Sequence, residues 1–216
     1  MRKPTNVLEK LEKIAAARFL SARGSHDWEH TRRVTRLSRT IGIQEGADLT
    51  IVTAGALLHD IGRGDRGKTG LQDCHARAGA LLTKEIVAEL PFSEKQRDNI
   101  VHCVESHRFR RPPAPGTTEA KVVFDADKLD AIGAVGVARA YLFAGELGAC
   151  LHNPDIDVTQ AKAYSSDDTG YREYLVKLRR IKDRLLTESG RNLARDRHQY
   201  MADFFTRFLD EYDGKC

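Results

Sequence analysis

The sequence predicts an all-α protein, built as a single domain over residues 1–216 with its C-terminal helices packed on the core. Three observations predict this class. Apolar residues recur at helical spacing in one segment after another, helix-capping residues and glycine or proline breaks separate the segments, and no stretch alternates as a half-buried strand does. Hydrophobic residues at 41% and charged residues at 31% describe a soluble globular chain, and 216 residues are enough for one sizeable core. The formal net charge of +4 suits an anionic substrate and is too small to mark a nucleic-acid binder.

Thr5 or Asn6 can cap a first helix whose apolar side is Val7, Leu8, Leu11, Ile14, Ala15 and Phe19. After a break over residues 21–25, a second helix starts near Ser25 or Asp27, carries Trp28, Val34, Leu37 and Ile41, and ends at 42–46. His30 stands one turn before Val34 and therefore near the buried stripe. Asp48 caps a third helix over 49–60. Residues 61–73, with glycines at 62, 64 and 67 among charges, predict a loop. A helix from Cys74 or His75 to Leu90 stops at Pro91, and Ser93 with Gln96 forms a capping box for a helix over 94–107. Residues 108–116 form a loop with three prolines, after which Thr118 opens a helix bearing Asp125, Asp127 and Asp130. Small residues over 132–148 suit a helix that other backbone approaches closely. Residues 150–168 are irregular, and two long amphipathic helices, 170–187 and 192–212, complete the chain.

Several function classes are disfavoured. Cys74, Cys103, Cys150 and Cys216 form no Cys-x-x-Cys pair, which argues against a zinc ribbon or redox dithiol and for free thiols in a reducing compartment. The first ten residues lack the apolar core of a signal peptide, and the most apolar region, 131–149, is interrupted by Arg139 and Glu146. The expected location is cytoplasmic. No P-loop, Ser-His-Asp triad or dinucleotide fingerprint is present, since the glycines after Asp60 follow a helix instead of a strand.

The chemistry centres on Ala54-Gly-Ala-Leu-Leu-His59-Asp60-Ile-Gly-Arg63, where an apolar helix runs into an adjacent His-Asp pair. A buried ionised carboxylate requires a cation or several hydrogen bonds. By itself the pair reads equally well as an exposed helix end, with His59 on the last carbonyls. His30 and Asp127 change that balance. Together the segments offer two imidazoles and two or more carboxylates, a donor set suited to a borderline divalent cation.

Order and spacing resemble the HD-domain metal-dependent phosphohydrolase superfamily: a His, an adjacent His-Asp and a distant Asp. The matching stretches are Ser25-His-Asp-Trp-Glu-His30, Leu57-Leu-His59-Asp60-Ile-Gly-Arg63 and Asp125-Ala-Asp127-Lys128-Leu-Asp130, within residues 20–148. Glu45-Gly-Ala-Asp48, residues 102–109 and Leu129-Asp-Ala-Ile-Gly-Ala-Val-Gly136 are also similar to the small YpgQ/YedJ-like bacterial hydrolases. The resemblance implies a helical fold, with residues 149–216 as a helical extension, and hydrolysis of a phosphate ester or anhydride. It also implies His30, His59, Asp60 and Asp127 as metal ligands. Manganese is the favoured ion; magnesium, cobalt, iron(II), nickel and zinc are alternatives.

Asp60, His75 and His107 are the catalytic candidates. The two histidines suit proton transfer or substrate binding, because imidazole titrates near neutrality; the alternative is a second ion, as in two-metal branches. His102, elsewhere on its helix, reads as structural. Arg63, Lys128 and Arg108, with Arg110 and Arg111, are candidate phosphate-binding groups, and Asp65 a candidate for orienting water. The favoured reaction is pyrophosphate release from a nucleoside triphosphate. A nucleotide-binding regulatory module without turnover, a 5′-nucleotidase and a nucleic-acid phosphodiesterase are the alternatives. The expected partner is a small phosphorylated molecule, with neither membrane nor nucleic acid, and a homodimer is left open.

Overall fold

The computed structural model describes residues 7–19, 27–63, 75–108, 112–157 and 160–216. Among these residues all regular structure is helical. The helices are α1 (Val7–Arg18), α2 (Trp28–Gln44), α3 (Leu49–Leu58), α4 (His75–Ala88), α5 (Glu94–Ser106), α6 (Thr118–Leu129), α7 (Gly133–Glu146), α8 (Gly170–Val176) and α9 (Glu188–Tyr212). The chain divides into two compact units, Met1–Asp127 and Lys128–Cys216.

In the first unit α3 is the central element. Its apolar residues face every direction, and Ile51 through Leu58 are all buried, as expected of a helix surrounded by protein. It packs against α1, α2 and α5. Asp48 caps it, accepting hydrogen bonds from the backbone N–H groups of Thr50 at 2.8 Å and Ile51 at 3.3 Å. Ser93 and Gln96 form the capping box that starts α5. At Gly55 the packing leaves no room for a side chain: a Cβ there would lie 2.8 Å from Cys103 Cβ and 3.5 Å from Val123 Cγ2.

The helix expected over 49–60 stops two residues early, at Leu58. His59 Nδ1 lies 2.8 Å from the Ala56 carbonyl, taking a last-turn acceptor with a side chain instead of the next backbone N–H. His59 and Asp60 therefore occupy a turn. A 3₁₀ helix, Ile61–Arg63, follows within the segment expected to be loop.

The second unit contains α7, α8 and α9. Phe205 of α9 is fully buried and stacks on Tyr174 of α8, with ring centroids 4.5 Å apart. The expected helix over 170–187 is instead the short α8, a break at Lys177 (φ −135°, ψ −58°), and a 3₁₀ helix, Leu178–Arg184. Three residues per turn set Leu178 and Ile181 on one line, and both are buried. Thr187 then caps α9 by accepting the Gly190 N–H at 3.0 Å, so this helix starts four residues before the expected position 192. Asp130 is buried against Arg139, 2.8 Å away. Among the described residues no helix is long and apolar enough to cross a membrane.

Candidate metal centre

Five side chains of the first unit converge from four elements. His30 lies in the first turn of α2, where the Asp27 carboxylate caps the helix and accepts the His30 N–H at 2.9 Å. His59 and Asp60 follow α3, and Asp127 lies near the end of α6. His107 caps the C-terminus of α5. His59 and His107 are set by the same local device. Each ring bonds through Nδ1 to the carbonyl three residues back, Ala56 at 2.8 Å and Val104 at 2.6 Å, and each turns Nε2 inward. These two carbonyls hold the site without any sequence signal beyond the position of a histidine at a helix end.

The distances define a compact donor cluster. His30 Nε2 is 3.3 Å from His59 Nε2 and 3.4 Å from Asp127 Oδ1, and His59 Nε2 is 3.9 Å from Asp127 Oδ1. Asp60 Oδ2 lies 3.9 Å from His30 Nε2 and 3.7 Å from His59 Nε2. The other Asp60 oxygen, Oδ1, faces His107 Nε2 at 3.5 Å. Arg63 Nε stands 2.6 Å from Asp60 Oδ2. In a 3₁₀ turn side chains three apart eclipse, which is why Arg63 falls over Asp60. Asp127 and Arg63 are 15% and 22% exposed whereas His30, His59, Asp60 and His107 are at most 2% exposed, so the cluster opens on the side of the former two.

Electrostatics favour a cation here. α3, α5 and α6 all present their C-terminal ends, where the partial charge of a helix is negative. Burial pushes His59 down to about 4, helped by His30 and His107 and opposed by Asp60 and Asp127, so its Nε2 carries a free lone pair at neutral pH. Burial works against an ionised Asp60. His59, the hydrogen bond from His107, and Arg63 outweigh it and hold the carboxyl well below the usual carboxylate range. Neutral imidazole nitrogen and ionised carboxylate oxygen are the donors a divalent ion requires. An ion holding such donors at about 2.0–2.2 Å separates neighbours by roughly 3 Å or more, which the spacing of His30, His59 and Asp127 fits.

Lys128 is the next residue of α6 after Asp127 and is half-buried, and Arg108 directly follows His107. His75 is the first residue of α4. Its side chain, Asp65, Arg110 and Arg111 lie outside the described residues. His102 Nε2 accepts the Gly116 N–H at 2.8 Å and tethers the proline-containing segment.

A helical core that gathers a His, an adjacent His-Asp and a distant Asp at converging helix ends is the pattern of the HD domain, whose profile matches residues 27–132. The chain belongs to the HD-domain superfamily. Within it, the chain is similar to YpgQ of Bacillus subtilis, an uncharacterised protein, with 35% identity over 196 residues, 88% of this chain and 85% of YpgQ. The crystal structure of Bacillus subtilis YpgQ in complex with ADP superposes with a TM-score of 0.72 at 31% identity, covering 94% of this chain and 96% of that one. An HD-superfamily hydrolase from Bacillus thuringiensis superposes with a TM-score of 0.75 at 27% identity, covering 95% and 96%. HD domains bind divalent metals, and the hydrolases of this superfamily are generally metal-dependent phosphohydrolases.

Proposed function

We propose that this chain is a divalent-metal-dependent phosphohydrolase acting on a nucleotide, with hydrolysis of a nucleoside triphosphate to the monophosphate and pyrophosphate as the favoured reaction. The observation that carries the reading is the buried convergence of His30, His59, Asp60 and Asp127 in an HD-superfamily chain. The ADP bound in the YpgQ structure supports a nucleotide ligand. Manganese is the favoured ion of this reading, with magnesium, cobalt, iron(II), nickel and zinc as alternatives; the mixed nitrogen and oxygen donor set accommodates any of them.

When bound, the metal supplies an activated water and a Lewis acid for a phosphoryl oxygen. His30 and His59 give neutral donors, while Asp60 and Asp127 give negative charge that balances the ion. His107 has Nδ1 committed to the Val104 carbonyl, so Nε2, 3.5 Å from Asp60 Oδ1, is its position for a transferable proton. His75 is the second candidate for proton transfer. Arg63, at the open side of the cluster, is assigned to the substrate phosphates, and Lys128 and Arg108 to the charge of the leaving pyrophosphate.

The test is a panel of nucleotides incubated with manganese-loaded protein, with product identification. Monophosphate plus pyrophosphate supports the proposal. Nucleoside plus phosphate redirects it to a nucleotidase, and tight nucleotide binding without any product favours a regulatory module.

A further inference from the structure

The metal centre stands at the C-terminal ends of α3, α5 and α6, and the N-terminal ends of α3 and α6 meet the middle of α5 in a second polar cluster. Glu119, in the first turn of α6, is at its middle. Its Oε1 accepts the backbone N–H of Asp48, the cap of α3, at 3.0 Å. Its Oε2 accepts Asn99 Nδ2 of α5 at 2.9 Å. Asn99 Oδ1 in turn accepts the Thr117 hydroxyl at 2.7 Å, and Thr117 Oγ1 accepts the Ala120 N–H at 3.1 Å, tying in the start of α6. Burial acts to raise Glu119, and the hydrogen bonds from Asp48 and Asn99 hold it below its ordinary value.

The three helices are connected from this cluster to the metal centre in regular steps. On α6, Glu119, Val123 and Asp127 are four residues apart, and on α5 so are Asn99, Cys103 and, just past the helix, His107. Gly55 of α3 stands four residues before His59. Residues four apart share a helix face. The middle members Gly55, Cys103 and Val123 are the close approach described above. On α5 and α6 the distance from polar cluster to metal centre, eight residues of helix, is about 12 Å.

We infer that the Glu119–Asn99–Asp48 clasp fixes the axial register of α3, α5 and α6 and so sets the spacing of His59, Asp60, His107 and Asp127. Glu119 is a positioning residue. The physical reason is directional. α3 is held along its length by apolar packing, which has no preferred direction, whereas hydrogen bonds at 2.7–3.0 Å tolerate little axial sliding. Metal ligands tolerate displacements of only about 0.2 Å. The inference rests on the metal-site reading above.

The test uses the full chain and a charge-conserving exchange. Glu119→Gln sets an amide donor against the Asp48 N–H or Asn99 Nδ2, and Asn99→Asp sets two carboxylates face to face. In the double variant the new amide donates to the new carboxylate, whose second oxygen accepts from Thr117, while the amide oxygen still accepts from Asp48. Two readouts are taken: Mn²⁺ affinity by titration calorimetry, and the imidazole ¹⁵N resonances of His59 and His107 in metal-free protein. Each single variant is expected to weaken Mn²⁺ binding about tenfold and to move both imidazole signals, and the double variant to restore both. Single variants that melt earlier but keep wild-type Mn²⁺ affinity and imidazole signals would overturn the inference, as would a double variant no better than the singles. A wild-type chain that binds no Mn²⁺ would remove the metal reading alone. The imidazole signals would then decide the clasp by themselves, movement and return supporting it and no movement overturning it.

Discussion

Acidifying the metal-free protein forces a proton onto a group that the fold holds unprotonated. His59 is fully buried and is lowered from 6.5 to about 4, with desolvation as the largest cause. Between those two values the unfolded chain binds a proton that the folded chain does not, so stability rises with pH across this window. The contribution is complete above 6.5 and is lost as pH falls toward 4. At about 1.36 kcal/mol for each pH unit, the full window is worth about 3 kcal/mol, and the fall to pH 5 about 2 kcal/mol. Asp60 is shifted in the same direction but in a lower window: its contribution persists above its unfolded value of 3.8 and is lost only below it. Glu119, lowered from 4.5, loses its contribution mainly below pH 5. Urea unfolding with a chelator, from pH 7.5 to pH 5, measures the loss, and His59→Gln should remove most of the slope. A midpoint independent of pH in this range, or an undiminished slope in His59→Gln, would refute a neutral buried His59.

Three further outcomes are expected. Asp60→Ala should abolish hydrolysis, lower bound metal and destabilise the fold by about 3–5 kcal/mol, because Arg63 and His107 lose the carboxylate they face; elemental analysis and urea unfolding check this, and full metal content would count against it. His107→Gln should lower kcat while leaving most of the metal bound, whereas His59→Ala should lose both; equal metal loss in the two variants would argue against a proton-transfer role for His107. Gly55→Ala places a Cβ 2.8 Å from Cys103 Cβ and should destabilise the protein by about 1–3 kcal/mol, seen as a lower melting temperature; an unchanged melting temperature would show that α3 and α5 can separate freely.

The parts of the fold legible in the sequence are those fixed by near neighbours. Asp48 caps α3, and Ser93 with Gln96 caps α5, because a cap is decided within three or four residues. The same local logic failed where a side chain altered its own helix. Apolar spacing continues through His59, yet His59 closes α3 by bonding Ala56. It failed again at residues 170–187, where Leu178, Ile181 and Leu185 satisfy a helical period but the backbone breaks at Lys177. For the metal centre, residue types pointed to a cation site, the resemblance to the HD superfamily picked out His30, His59, Asp60 and Asp127, and the structure supplies their separations. Arg63 was legible as a cation beside the site, whereas its ion pair with Asp60 depends on the 3₁₀ turn. The Glu119 clasp was not legible, since its partners lie 71 and 20 positions away and a glutamate in a first helical turn looks like an ordinary surface charge.

The proposed role of His30, His59, Asp60 and Asp127 is to hold a divalent ion that this chain uses to hydrolyse a nucleotide. Its most direct measurement strips the purified protein with a chelator, returns Mn²⁺ in steps, and follows nucleoside triphosphate cleavage with product identification. The predicted result is no turnover in the stripped protein and monophosphate plus pyrophosphate rising with Mn²⁺ to saturation near one equivalent of tightly bound ion per site. Undiminished turnover in fully metal-free protein would contradict it.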